Sequence, residues 1–448
     1  MMKRCNSFIF KLLNTCIIAM FMATSAFAIE TDRTWYLVGE TMKVSVTDND
    51  ALIAYAELCD THGLVAGVVV GLQDGKGTGI IELPSDLHSG YYVLSVYTRH
   101  NAKVSQQLVA VINPLRKSAD DDIEWVEITQ NQKTYPQPLF VREGRGYHAN
   151  SDSLPSEYFL PSIQGGNRGG AIRETEGHII MARIKNVYDG NTFRASQICA
   201  SLSIVGKQIH YFEGKMVDDS TAVFYTYGIH GKLPLVLSAM SSNGVSLPVE
   251  LISPFAALIP KQLPHLVFHY KRSEVEARSL DMQRLQSSTF HSPLGSAARL
   301  GQEPSSFHLP PSTLDYDETV LGTKPDLTYN LDEYRQFLTI REVLIEYVNC
   351  VKDTKIEGVP RLMVRREQET YNSTLPTLVL IDGMPVFDVE RLLNYDARRI
   401  HYINIYAGQY TFGVGVYNGI LSFVTRSGRL TNYPTERNMQ YLVYDFPS

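Results

Sequence analysis

Between Ile29 and Pro114 apolar and polar positions alternate in short runs separated by turn residues. In "TWYLVGETMKVSV" Gly39-Glu40 precedes Met42, Val44 and Val46, and in "SGYYVLSVYTR" Tyr92, Leu94 and Val96 alternate with Tyr91, Val93, Ser95 and Tyr97. "IAYAELCDTHG", "VAGVVVGL" and "QQLVAVINP" repeat the strand-then-turn pattern. Period-two runs at this spacing predict a β-sandwich over 29–115. The same pattern returns after Glu176. "HIIMARIKNV" alternates Ile180, Ala182 and Ile184, and "ICASLSIVG", "HYFEGKMV", "STAVFYTYGIHG" and "LPLVLSAMSS" follow. A second sandwich is expected over 176–271, with an irregular linker over 116–175 carrying the acidic run Asp120 to Asp122 and the flexible "QGGNRGG".

Helical spacing first appears late in the chain. Ser273 and Glu276 stand at capping-box distance, with Val275, Leu280 and Leu285 as apolar positions. A Ser-, Pro- and Gly-rich stretch from Ser288 to Lys324 reads as linker, so helix plus linker occupies 272–328. Thr339 and Glu342 form a second capping box, with Leu338 and Val343 at staple positions and Ile340, Leu344, Tyr347 or Val348, and Val351 as a stripe. Gly358 ends that element before a short strand at Leu362 to Val364.

The most patterned stretch runs from Thr377 to Gly428. Leu378 to Ile381 is too short a run for a helix and closes on Asp382-Gly383, a strand followed by a tight turn. Asp388 caps a short helix with Val389, Leu392 and Leu393 on one side. Ile400 to Tyr406 and Ile420 to Thr425 are two more strands, joined by a loop with Gly408, Gly413, Gly415 and Gly419. Residues 329–448 are therefore expected to form a small α+β unit. The fold class is multidomain and mainly β: two sandwiches of macroglobulin or immunoglobulin type, then this unit.

"LVLIDGMPV", "IHYINIYAG" and "YNGILSFVTRSG", in that order, resemble the plug domain of TonB-dependent outer-membrane receptors. Such receptors continue into a long barrel, whereas about twenty residues remain here, so the resemblance implies a plug-like domain without a pore of its own. No convincing TonB box precedes Thr339. "YLVGETMKV", "AYAELCDTHG", "LPSDLHSGYYVLSVYTR" and "VINP" resemble a macroglobulin-type domain. Larger members of that superfamily carry a thioester motif like Cys-Gly-Glu-Gln. This chain has none, so that resemblance implies shape and not a protease trap.

The N-terminus reads as a secretory signal over 1–28, with Lys3, Arg4 and Lys11, an apolar run from Ile17 to Met22, and "AFA" at Ala26 to Ala28. Lipid attachment at Cys16 suits the pattern poorly, because the apolar run follows it. No later stretch has the length and apolarity of a membrane-spanning helix. The full chain carries 41 Lys+Arg against 47 Asp+Glu, a net charge of −6, and is more acidic once the leader's basic residues are gone. Without a basic run, nucleic acid is not an expected partner.

Chemistry is sparse. Cys59, Cys199 and Cys350 are scattered and form neither a disulfide framework nor a CxxC. "GLQDGKGTG" misses phosphate-loop spacing and reads as a β-turn, and Asp120 to Asp122 lack the alternate spacing of a calcium loop. Of His178, His210, His230, His265 and His269, only the last two share a ligand-like spacing. There is no HExxH and no GxSxG. The 26 tyrosines suit sheet faces and interfaces. No catalytic, cofactor-binding or metal residue is expected. The reading is a non-enzymatic, exported scaffold of a Gram-negative envelope, periplasmic or outer-membrane associated. Its sheet edge or glycine loop would dock an outer-membrane or periplasmic protein or another copy of itself. A surface adhesin or glycan-binding protein, and a secreted hydrolase with its site between domains, are the alternatives.

Overall fold

A computed structural model describes residues 28–99, 104–114, 116–127, 174, 177–205, 209–242, 244–289, 323–356, 359–365, 375–412, 414–427 and 438–447. The chain is mainly β and multidomain. The leader apart from Ala28, the "QGGNRGG" stretch, and most of the linker expected between Ser288 and Lys324 lie outside the described residues.

The first β domain faces a three-stranded sheet (Ala28–Thr31, Thr41–Thr47, Lys76–Glu82) against a five-stranded one. The larger sheet runs in the order Trp35–Leu37, Val104–Ile112, Gly90–Tyr97, Ile53–Cys59 and Leu64–Gly71. Met42, Val44 and Val46 meet Tyr92, Leu94, Val96, Val109 and Val111 in the core, so the period-two alternation is obeyed on both sheets. "GLQDGKGTG" is a hairpin turned at Asp74-Gly75, where φ is 51° and 74°. Every residue of Gly90–Tyr97 is buried, including the set that alternates away from the core. The second face is covered by chain from farther along. Phe255, Ala256 and Leu258 pack on Tyr55 and Tyr97, while Leu266, Phe268 and Val275 pack on Leu37, Tyr91 and Ile112. Gly67 permits this close approach, since a Cβ there would sit 2.7 Å from the Phe255 ring.

Two expectations change at this covering layer. The linker over 116–175 contains a strand, Ile123–Glu127, paired in parallel with Leu266–Tyr270. Asp121 is not merely solvated: its carboxylate accepts from the Ser89 and Ser118 amides at 2.7 and 2.8 Å, fastening the segment to the first domain. The helix is Arg272–Thr289 and begins before Ser273. Ser273 is inside the helix and not its cap: the Lys271 carbonyl accepts the Glu274 and Val275 amides at 2.9 and 3.3 Å, and the Glu276 carboxylate meets Arg272 at 2.7 Å. Val275 is buried but Leu280 is 53% exposed. The helix docks through Arg278, which binds Glu40 with two 2.6 Å contacts and lies 4.0 Å over the Trp35 ring.

The second β domain is one antiparallel sheet of seven strands: Val249–Ile252, His178–Ile184, Thr221–Thr226, His210–Met216, Ile198–Ile204, Gly231–Ser241 and Gln440–Phe446. It curls round a single core of Ile180, Ala182, Leu202, Phe212, Phe224, Leu235, Leu237, Tyr444 and Phe446. The Val249 amide reaches the Asn438 carbonyl at 3.3 Å, drawing the two edges together.

The seventh strand corrects the expected boundary at 329–448. Gln440–Phe446 belongs to the second β domain, pairing from Gly231↔Phe446 to Leu237↔Gln440. The α+β unit lies between Leu327 and Ser427, and the chain returns from it to the curled sheet. Its sheet runs Leu327–Asn330, Ile400–Phe412, Gly415–Thr425, Leu378–Ile381 and Met384–Pro385, with Leu378–Ile381 parallel to its neighbour. One face packs Val379, Ile381, Ile403, Ile405, Leu421 and Phe423 under two helices, Ile340–Tyr347 and Val389–Leu393. The capping boxes differ in outcome here: Thr339–Glu342 is formed, and Asp388 caps the Arg391 amide. The staple is not formed, since Leu338 is 63% exposed. The other face packs Leu378, Leu380, Tyr406, Tyr417 and Ile420 on Ile209 and Tyr211 of the second β domain.

The Asp382-Gly383 turn has positive φ at both residues, 47° and 88°. Asp382 is buried, and its carboxylate accepts the Thr425 amide at 2.8 Å and hydroxyl at 2.5 Å. The turn is thereby tied to the end of the adjacent long strand. Asp382→Ala leaves both Thr425 donors without that carboxylate and is expected to cost about 2–4 kcal/mol. Urea unfolding should show a lower midpoint at unchanged slope, and Thr425→Val should show a smaller loss.

Candidate interaction surface

The histidine pair flagged in the sequence is not brought together as a ligand set. His265 precedes its strand and its Nδ1 lies 2.5 Å from Asp122, while His269 pairs across Val126. Among the described residues no group of three His, Cys, Asp or Glu is placed to hold a metal. Cys59, Cys199 and Cys350 are free thiols. Burial pushes Cys59 and Cys199 up to about 12, helped by Glu57 and Asp60 in one case and Glu213 in the other. Both are held protonated and are poor nucleophiles.

The glycine loop, expected to dock a partner, is already engaged within the chain. Val414 donates to the Glu213 carbonyl at 3.3 Å, and the Tyr417 hydroxyl donates to the Glu213 carboxylate. A Cβ on Gly415 would come within 2.2 Å of that carboxylate. Gly408, Gly415 and Gly419 lie not in a loop but within the strands Ile400–Phe412 and Gly415–Thr425, and the end of this hairpin is a seam between the α+β unit and the second β domain.

A second joint was not anticipated. Glu174 and His178 stand four residues apart, the one signal the sequence carried. Glu174 Oε1 accepts from the Tyr55 hydroxyl at 2.6 Å and the Ile179 amide at 2.8 Å. It also lies 3.1 Å from the Arg99 guanidinium and 3.2 Å from His178 Nδ1. His178 Nε2 meets the Tyr444 hydroxyl at 2.7 Å. Arg99 also lies over the Tyr55 ring at 4.6 Å. Beside it, Glu57 accepts from Leu258 at 2.6 Å, Ala257 at 3.1 Å and Tyr97 at 3.2 Å. These groups come from both β domains and from the final strand. All are buried or nearly so, which makes them a polar lock and not a substrate site.

What faces outward is the helical layer of the α+β unit. Leu331, Tyr334, Phe337, Val343, Tyr347 and Ala397 line a shallow groove with room for about one water. Arg335, Arg398 and Arg426 stand at its margin. Tyr334 and Tyr347 have ring centroids 4.6 Å apart, and Phe337 lies 5.5 Å from Tyr347. Next to this, Leu338 and Ile345 are 63% and 67% exposed. Aromatic rings, exposed aliphatics and arginines in one region are the residue types that protein interfaces favour.

No family model and no curated protein matches the chain. Among solved structures, Escherichia coli alpha-2-macroglobulin activated by porcine elastase is similar at 11% identity and a TM-score of 0.18, over 50% of this chain and 20% of that one. A Salmonella alpha-2-macroglobulin mutant is similar at 12% and 0.18, over 50% and 14%. Native Escherichia coli alpha-2-macroglobulin gives 13% and 0.18, over 52% and 14%. The chain thus spans a fifth or less of these much longer proteins. So loose an overlap carries no activity across.

The buried lock has a pH signature. Burial alone would raise the Glu174 carboxyl, but the His178 hydrogen bond and the Arg99 charge outweigh it and hold it below its ordinary value. Such a group stabilises the fold above the unfolded value of about 4.3, and that contribution is lost as pH falls through the lower folded value. Glu57 has the opposite sign. Burial raises it, against the Leu258 and Ala257 amides, so its contribution is lost as pH rises through the folded value. Glu174→Gln strands Arg99 and is expected to cost about 3–5 kcal/mol at pH 7. It should also flatten the fall of stability below about pH 4.3, measured by chemical denaturation across pH.

Proposed function

We propose that this protein is a non-enzymatic, exported cell-envelope scaffold whose α+β unit is presented to an outer-membrane or periplasmic protein. The observation that carries this reading is the unequal treatment of the unit's two sides. Its inner sheet face is packed on Ile209 and Tyr211, whereas its helical side exposes Leu338, Ile345 and the aromatic groove. A surface held at fixed orientation loses little freedom on binding, which favours recognition. The two β domains act as its mount.

The plug-like sequence pattern of the unit, and the leader over 1–28, support an envelope location. A plug seated within a barrel supplied by another chain would have to give up the packing on the second β domain. The reading therefore places the contact on the helical side, with the present packing kept.

A photo-crosslinking residue at Ile345 tests this in cells. Adducts with envelope proteins are expected, confined to the membrane and periplasmic fractions. The same residue at Tyr188, exposed on the second β domain, should give few. Equal adducts at both sites, none at Ile345, or a chain found only in the cytosol would count against the reading.

A further inference from the structure

The two seams of the second β domain are made of different material. Toward the α+β unit it shares two apolar clusters, one through Val205 and Val236 and one through Ile209 and Tyr211. Toward the first β domain it shares none: no apolar cluster among the described residues holds strands of both β domains. That seam is closed by polar groups. Arg99 and Tyr55 of the first domain converge with His178 Nδ1 and the Ile179 amide on a single oxygen, Glu174 Oε1. Arg99 also donates to the Ile179 carbonyl at 3.2 Å, and Tyr444 backs His178. The ion pair Lys232–Glu82, at 2.7 Å, is exposed and adds little. Among the described residues the chain itself crosses this seam once, between Ile252 and Phe255. An interface held by polar contacts is where domains move against each other.

We propose that this seam is an acid-released joint: protonation of Glu174 frees the first β domain, with its covering layer, to swing away from the second β domain and the α+β unit, each part keeping its fold. Glu174 Oε2 is buried and has no hydrogen-bond partner among the described residues, so a proton can sit there without first displacing the donors on Oε1. Neutralising the carboxyl leaves Arg99 buried without its counter-charge, and opening the seam returns that charge to water. Burial works to raise the Glu174 carboxyl, but the His178 hydrogen bond and the Arg99 charge hold it below its ordinary value while the joint is closed. In the open form it returns to about 4.3, so the open share grows as pH falls through that range. The Tyr55 and Tyr444 phenols, raised by burial, stay protonated throughout. Asp445, beside Lys232 and raised by burial, has the opposite sign and resists opening.

Pairs of spin labels on unnatural side chains, read by pulsed dipolar spectroscopy on the full chain, test this and leave Cys59, Cys199 and Cys350 as they are. Lys43 with Ile345 spans the joint, whereas Tyr188 with Ile345 lies within one part; all three positions are exposed. As pH falls from about 7 to about 3.5, the spanning pair should gain a longer-distance population. That population should grow by up to about tenfold per pH unit below about 4.3, the limit for one proton. The inner pair should keep its distribution. Glu174→Gln should show the longer population already at neutral pH and lose the pH response, while Glu57→Gln should stay closed there. A spanning distance unchanged in the wild-type chain down to about pH 3.5, or an inner pair that broadens along with it, overturns the proposal. So does a folded Glu174→Gln that keeps the wild-type response, or equal opening in Glu57→Gln. If Glu174→Gln does not fold, the wild-type titration decides alone. The outcome is independent of whether Ile345 meets an envelope partner.

Discussion

Seven residue pairs join Gln440–Phe446 to Gly231–Ser241, and this pairing constrains the whole chain. It requires the chain to return to the second β domain after the α+β unit. The unit's sheet is consequently laid against Ile209 and Tyr211, and Val205 and Val236 enter the core under its helices. The same strand delivers Tyr444 to His178, completing the lock that also takes in Arg99 and Tyr55 of the first domain. One backbone ladder thus fixes both seams, and neither can open without exposing apolar surface or an unmatched buried charge.

The first domain is secured by a different device. Its five-stranded sheet is apolar on both faces, and the second face is covered by chain from 255 to 275. Glu57 and Tyr97 gather three successive amides of that covering segment, from Ala256 to Leu258. Arg278 closes the other end on Glu40 and Trp35. The covering layer holds the polypeptide where it passes from the second domain toward the α+β unit, so the mount and the mounted unit share their connections.

Beyond the two inner seams, the helical side of the α+β unit exposes Leu338 and Ile345. It also carries the Tyr334, Phe337 and Tyr347 rings, which present rigid apolar area. The polar clusters elsewhere are spent on holding the domains together. Glu57 and Asp382 accept from donors within the chain, as does Oε1 of Glu174, and that is why carboxylates so deeply placed are tolerated.

By itself the sequence determined the elements and their inward faces. The alternation at Met42, Val44 and Val46, the Thr339–Glu342 box, the Asp388 cap and the Asp382-Gly383 turn are local properties, set by side-chain period, capping and backbone sterics, and each appears where it was read. What only the tertiary structure decided was which elements meet. Strand pairing between residues 200 positions apart leaves no local trace, so Gln440–Phe446 read as the tail of the α+β unit when it is the seventh strand of another sheet. The glycine loop read as open because glycine signals freedom of backbone, yet here that freedom admits Glu213.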